Sequence, residues 1–329
     1  MKLVTYERGD GTLRAGAFIE GDTKIVDLAE AHGSGFGEAY APFASVLTIV
    51  EAGDEALDRA YETLKRTGGK GALDRASAKL RAPIQPPPQI RDCLCFETHL
   101  KQAFDAARRV RANAMPDPQA AMAEFERTGV LMIPKVFYEQ PIYYKANRFS
   151  VIGTDEDVVW PTYSKLMDFE LEFGFYVRKT GVDIAKAKAR DYIYGYTIFN
   201  DFSARDAQTV EMGGQLGPCK GKDFDTGNAM GPCLVTYDEL KDPYNLAMEC
   251  RVNGEVWGRG NSSTMFWKFE DLLAHISQSE TVYPGEFFGS GTVGNGCGLE
   301  QMRFLKHGDV VELEVEGIGI LRNRVLTKQ

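Results

Sequence analysis

Asp168-Phe169-Glu170-Leu171-Glu172-Phe173-Gly174 alternates acidic and apolar residues with a period of two. In a strand, that period sends Phe169, Leu171 and Phe173 to one face and Asp168, Glu170 and Glu172 to the other. Like charges crowded on one face repel, and either a bound cation or a solvated, lysine-studded surface relieves them. Glu312, Glu314 and Glu316 repeat the pattern near the C-terminus with no second cluster beside them, and read as a solvated face. The earlier stretch is followed by an aromatic strand over 192–199, which delivers Asn200-Asp201 at its end. Arg205, Gln208 and Lys222 come next, at loop-like positions.

The rest of the chain reads as many short strands and few long helices. Segments 2–6, 13–19 and 24–28, separated by Gly9-Asp10-Gly11 and Gly21-Asp22, form a meander. Helices are predicted over 43–52 and from Asp54, where Leu57, Tyr61 and Leu64 make one stripe. The stiff stretch 83–88, with four prolines, marks a boundary near residue 85. It divides a small N-terminal α+β domain, 1–85, from a larger domain, 86–329. After it, 90–96 reads as a strand and 97–114 as a helix with His99 in its first turn. The aromatic and basic segment 141–150 is an ordered loop or edge strand, and a short helix is predicted at 183–190. In the C-terminal third, Asn253-Gly254 signals a hairpin, 265–276 a helix, and 287–293, 310–316 and 318–325 strands. The pattern specifies a β-rich α+β fold and not a doubly wound sheet.

The formal charge of −9 over 329 residues argues against nucleic-acid binding. No apolar run approaches the ~20 residues of a membrane span, and the first residues lack the apolar core of a signal peptide. A cytoplasmic enzyme is therefore expected. The six cysteines show no disulfide spacing. Cys93-x-Cys95 with His99 nearby lacks the second pair that a zinc site needs. Carboxylates without neighbouring His or Cys suit a hard cation instead: Mg²⁺, Mn²⁺ or Ca²⁺.

Taken together, Asp-Phe-Glu-Leu-Glu at 168–172, Asn-Asp-Phe-Ser-Ala-Arg-Asp-Ala-Gln at 200–208, Leu-Gly-Pro-x-Lys-Gly-Lys at 216–222 and Ser-Gly-Thr-Val-Gly at 290–294 resemble, in order, the signature of the fumarylacetoacetate hydrolase family. The resemblance covers about 88–326. It implies a mixed β-sandwich roll of the fumarylacetoacetase C-terminal type behind a small N-terminal domain, a homodimer, and a small oxo-acid substrate. It further implies Glu170, Glu172 and Asp201 as ligands of a divalent cation, Mg²⁺ first, with Asp92 as a further acidic ligand. His99 matches the general base and Glu300 the carboxylate that orients it. Lys222 joins them in the catalytic set, while Arg205, Gln208, Tyr144 and Thr292 fall where members contact substrate. One position departs: Leu94 stands where fumarylacetoacetate-cleaving members carry a tyrosine, and it donates no hydrogen bond.

The activity so implied is hydrolysis of a C–C bond in a 1,3-dicarbonyl acid such as an acylpyruvate. The alternatives are decarboxylation or keto–enol isomerisation of a small oxo-acid, which need no attacking water, and non-catalytic binding of an oxo-acid or sugar.

Overall fold

The computed structural model describes residues 1–328. Two sheets form the frame. The larger, of 12 strands, has a central path that runs Leu13–Ile19, Lys2–Glu7, Asn228–Thr236, Ile193–Asp201, Leu171–Val177, Phe287–Gly289, Ile90–Cys93, Tyr143–Lys145. Most neighbours are antiparallel, but Phe287–Gly289 and Ile90–Cys93 run parallel. The second sheet has five strands in the order Glu255–Asn261, Ala247–Val252, Val310–Val315, Gly319–Thr327, Asp157–Trp160. The fold is sheet-rich α+β, and neither sheet path closes into a barrel among the described residues.

The strands form where β-branched and aromatic residues collect. Leu171–Val177, Ile193–Asp201 and Asn228–Thr236 are buried along their whole length, so helices or sheet cover both of their faces. On one face Phe173 and Phe175 meet Phe269 at ring-centroid distances of 5.1 and 5.0 Å, with Phe288 stacked on Phe175 at 5.0 Å. Burying a ring of this size contributes roughly 1.5–3 kcal/mol. On the other face Tyr176, Tyr194, Phe199 and Met230 share a cluster with Val46, Ile49, Val50 and Leu57 of the N-terminal helices Val46–Ala52 and Asp54–Thr67. The N-terminal meander joins the same sheet through Lys2↔Val235 and Leu3↔Leu234.

Several elements are shorter than their sequence pattern. The acidic strand is broken: Met167–Asp168 pairs with Ser203–Ala204, and the long strand starts only at Leu171. The helix expected over 265–276 begins at Phe269, and that at 183–190 covers only Lys186–Ala189. The strand from Phe287 ends at Gly289, where Ser290 turns its backbone N–H to Phe173 O. The helix Pro118–Thr128, which the sequence reading did not assign, follows Glu97–Asn113 and is capped by Asp117 through Ala120 N. Among the described residues no helix is long and apolar enough to cross a membrane.

Candidate active site

Strand alternation aims the acidic side chains. Ile90, Tyr176, Phe199 and Phe287 pack on one side of the large sheet, whereas Cys93, Phe173, Phe175, Ile198 and Phe288 pack on the other. Asp92, Glu172 and Asp201 share the parity of the first set, so three strands present carboxylates to one side. Glu170 joins them from just ahead of its strand, where it bridges Cys297 and donates its N–H to Asn200 Oδ1 at 3.0 Å. Ligand oxygens of Asp92, Glu170, Glu172 and Asp201 all lie within 4.8 Å of one another, and all four residues are buried. Gly289 lies opposite both Asp92 and Gly174 in the register. A Cβ at Gly289 would stand 2.4 Å from Asp92 Oδ1, so the bare backbone makes room for that carboxylate.

Two buried cations answer the charge. Lys222 Nζ donates to Glu170 Oε2 at 2.7 Å and to Asp201 Oδ2 at 2.6 Å. Arg205 pairs through Nε with Asp168 at 2.7 Å and through Nη1 with Glu170 Oε1 at 2.8 Å. Asp92, Asp168, Glu170, Glu172 and Asp201 are nevertheless five buried carboxylates against these two cations. Asp92 Oδ1, Glu172 Oε2 and Asp201 Oδ1 are buried with no hydrogen-bond partner among the described residues. Buried, unpartnered carboxylate oxygens are costly to maintain, and three of them converging fit a hard divalent cation.

The protonation pattern follows from the same imbalance. Burial, then the charge of Asp201, pushes Asp92 well above the usual carboxylate range, and burial, then Asp92, does the same to Glu172. Burial raises Asp201 too, but Lys222 opposes it, leaving Asp201 pushed up to about 6. Burial would also raise Glu170, yet the charges of Lys222 and Arg205 outweigh it and hold this carboxyl below the usual range. Burial works against the charged form of Lys222, and Asp201 and Glu170 more than reverse it.

A histidine–carboxylate pair abuts the cluster. His99 Nδ1 lies 2.8 Å from Glu300 Oε1, and Glu300 Oε2 accepts from Cys297 N at 3.2 Å. Cys297 is the residue that bridges Glu170, so the two groups meet along one backbone pairing. His99 meets Cys297 and Glu300 and not the Cys93-x-Cys95 pair, whose thiols are buried and pushed up first by that burial.

The structure thus brings together Asp92, Glu170, Glu172, Asp201 and Lys222, with His99 and Glu300 alongside. Tyr144 donates its hydroxyl to Asp201 Oδ2 at 2.5 Å, and Gln208 Oε1 accepts from Arg205 Nη1 at 3.0 Å. Thr292 Oγ1 stands 3.5 Å from Glu172 Oε1. Sequence reasoning missed two residues that hold the site. Asn200 fixes the Glu170 backbone. Asp168 accepts from Arg205 Nε and from the N–H groups of Gly298 and Leu299. Both stood in the quoted motifs, but spacing carries no sign of partners so distant in sequence.

Residues 91–326 match the family model described as fumarylacetoacetate (FAA) hydrolase C-terminal. The mitochondrial oxaloacetate tautomerase FAHD2A of Homo sapiens is 40% identical over 189 residues, 57% of this chain and 60% of that protein. The chain thus matches under two thirds of the length of that relative. The mitochondrial oxaloacetate tautomerase of Xenopus laevis is 31% identical over 330 residues, 99% of this chain and 90% of that protein. The solved structure of maleylpyruvate hydrolase from Sphingobium sp. SYK-6, in complex with manganese(II) and pyruvate, superposes with a TM-score of 0.71 at 19% identity. It covers the whole of both chains and shows the shared fold.

Proposed function

The chain belongs to the fumarylacetoacetate hydrolase family, and on that premise we propose that it is a divalent-cation-dependent keto–enol tautomerase of small 2-oxo dicarboxylic acids of the oxaloacetate kind. The observation that carries the reading is the convergence of four buried carboxylates beside a His99–Glu300 pair. The relative that matches along nearly the whole chain bears the tautomerase name. Asp92, Glu170, Glu172 and Asp201 would hold the cation, with Mg²⁺ or Mn²⁺ suiting an all-oxygen set. Bound there, it would supply positive charge beside the oxygen that becomes negative on enolisation.

The protein's own residues move the proton. Glu300 engages Nδ1 of His99, which leaves Nε2 to take a proton from the carbon next to the ketone. The C–H electron pair shifts into the new C=C bond, and the same proton is returned to the ketone oxygen, so no water is consumed. The Glu300 carboxylate stabilises the imidazolium in between. Arg205 Nη2, buried and without a partner among the described residues, is a free donor for a substrate carboxylate.

C–C hydrolysis is the second reading, because the same pair can draw a proton from water and the Lys222 ammonium, bonded to Glu170 and Asp201 at the cluster, would supply charge to an oxyanion formed beside it. The test is to strip the protein with chelator, restore Mn²⁺ or Mg²⁺, and follow enol oxaloacetate by ultraviolet absorbance alongside pyruvate release from acylpyruvates. Metal-dependent loss of the enol without pyruvate release supports the tautomerase. Pyruvate release from an acylpyruvate puts hydrolysis first, and tight binding without turnover on either sinks both. His99→Ala should lower turnover by about 10²–10⁴-fold with metal affinity unchanged by calorimetry.

We further propose that two copies associate. Val210 at 81% and Leu216 at 97% exposure, with exposed Met212 between them in sequence, are large apolar side chains that a second copy would cover. Light scattering at a monomer mass would end that proposal.

A further inference from the structure

Asp168 is not one of the four clustered carboxylates, yet it is wholly buried and its two oxygens accept four hydrogen bonds. Oδ2 takes Arg205 Nε at 2.7 Å and Leu299 N at 3.0 Å; Oδ1 takes Gly298 N at 2.7 Å and the adjacent Phe169 N at 2.9 Å. The short pairing Met167↔Ala204 and Asp168↔Ser203 anchors its backbone beside Arg205. Gly298 has to be glycine for this contact: a Cβ would lie 2.7 Å from Asp168 Oδ1 and 1.9 Å from the Arg303 carbonyl. The turn so captured, Leu299–Gln301, carries Glu300, whose Oε1 holds His99 Nδ1.

We infer that Asp168 is a positioning residue that locks two parts of the site into one frame. One is the Arg205 guanidinium, with its free Nη2; the other is the Glu300 turn that sets the His99 ring. Among the described residues Asp168 is the one side chain that hydrogen-bonds both parts directly; the other link is longer, from Arg205 through Glu170 to Cys297 and Glu300. A neutral side chain keeps the shape but loses the charge that grips Arg205 and the two loop N–H groups.

The kinetic arm of the test rests on the tautomerase reading; the spectroscopic arm does not. Asp168→Asn is expected to cut kcat/KM by about 10²-fold through misplacement of both groups, divided between a raised KM from Arg205 and a lowered kcat from His99. Mn²⁺ affinity by calorimetry should stay near wild type. In double-mutant cycles Asp168→Asn should be non-additive with Arg205→Gln and also with Glu300→Gln. Independently, the ¹⁵N imidazole signals of His99, which report tautomer and hydrogen bonding, should shift in Asp168→Asn. Should that variant not fold, Arg205→Gln alone should still shift the His99 signals through the shared carboxylate. Unshifted His99 signals, or additivity with both partners, overturn the inference. A wild type inert on oxaloacetate removes the tautomerase reading and leaves the imidazole signals to decide Asp168.

Discussion

Lys222 shows how much of the site rests on one side chain. It is buried, and its ammonium is the only group that bonds both Glu170 and Asp201 among the described residues. Lys222→Met keeps most of the volume and removes the charge, leaving two carboxylates facing each other in a site already short of cations. Breaking a buried pair from one side costs about 3–5 kcal/mol, so chelator-treated Lys222→Met should unfold at a clearly lower urea concentration than wild type. Mn²⁺ should recover part of the difference, because a cation in the cluster takes over the neutralisation. An equal loss with and without metal would mean that Lys222 does not share its carboxylates with a cation. At this scale the sequence was informative about residue type. The Glu-x-Glu alternation and the Asn-Asp that follows pointed to carboxylates that the fold brings together, and the resemblance added Asp92 and His99. Which oxygens would be left unpartnered was not legible, because that depends on Lys222, Arg205 and Tyr144 arriving from other elements.

The acidic stretch also shows where reading an element from its own pattern stops. Alternation over 168–174 predicts one continuous strand with one acidic face. The backbone instead changes partners inside it: Asp168 pairs with Ser203, Glu170 bonds the Asn200 side chain, and Leu171 opens the ladder against Asn200. The break separates Asp168, which turns to Arg205 and the Glu300 turn, from Glu170 and Glu172, which turn to the cluster. Side-chain periodicity records none of this, because hydrogen-bond partners lie tens of residues away. The strand Phe287–Gly289 makes a related point, since its contribution is an absent side chain. Gly289→Ala would drive a methyl to 2.4 Å from Asp92 Oδ1 and 3.2 Å from the Phe199 ring, and the strand is too tightly paired to yield. The expected result is a Mn²⁺ affinity reduced by about 10-fold or more, as for loss of a metal site's supporting shell, while far-ultraviolet circular dichroism stays native. Unchanged affinity would place Asp92 outside the metal's coordination.

For the whole molecule, the uncompensated carboxylates make stability depend on pH in a direction opposite to the common one. Asp201 sits at about 6 in the folded chain against an ordinary 3.8, and Asp92 and Glu172 are raised as well, burial being the largest cause in each. Between those values the folded state holds protons that the unfolded chain has released. Stability from these groups is therefore full below the ordinary carboxylate value and is lost as pH rises through the folded ones. A divalent cation reverses the preference, because it binds the ionised carboxylates and competes with protons for them. Chelator-treated protein should thus melt at progressively lower temperature as pH is raised from 5 to 8, with about 6 inside the falling range. Protein saturated with Mn²⁺ should not show that decline, so the gap between the two curves widens with pH. At 100 times its Kd a ligand adds about 2.7 kcal/mol, roughly 4 °C for a chain this long. Two melting series, with chelator and with Mn²⁺, check it. Parallel curves would show that the cluster titrates without regard to metal, and a gap that narrows with rising pH would mean that the cation is held elsewhere.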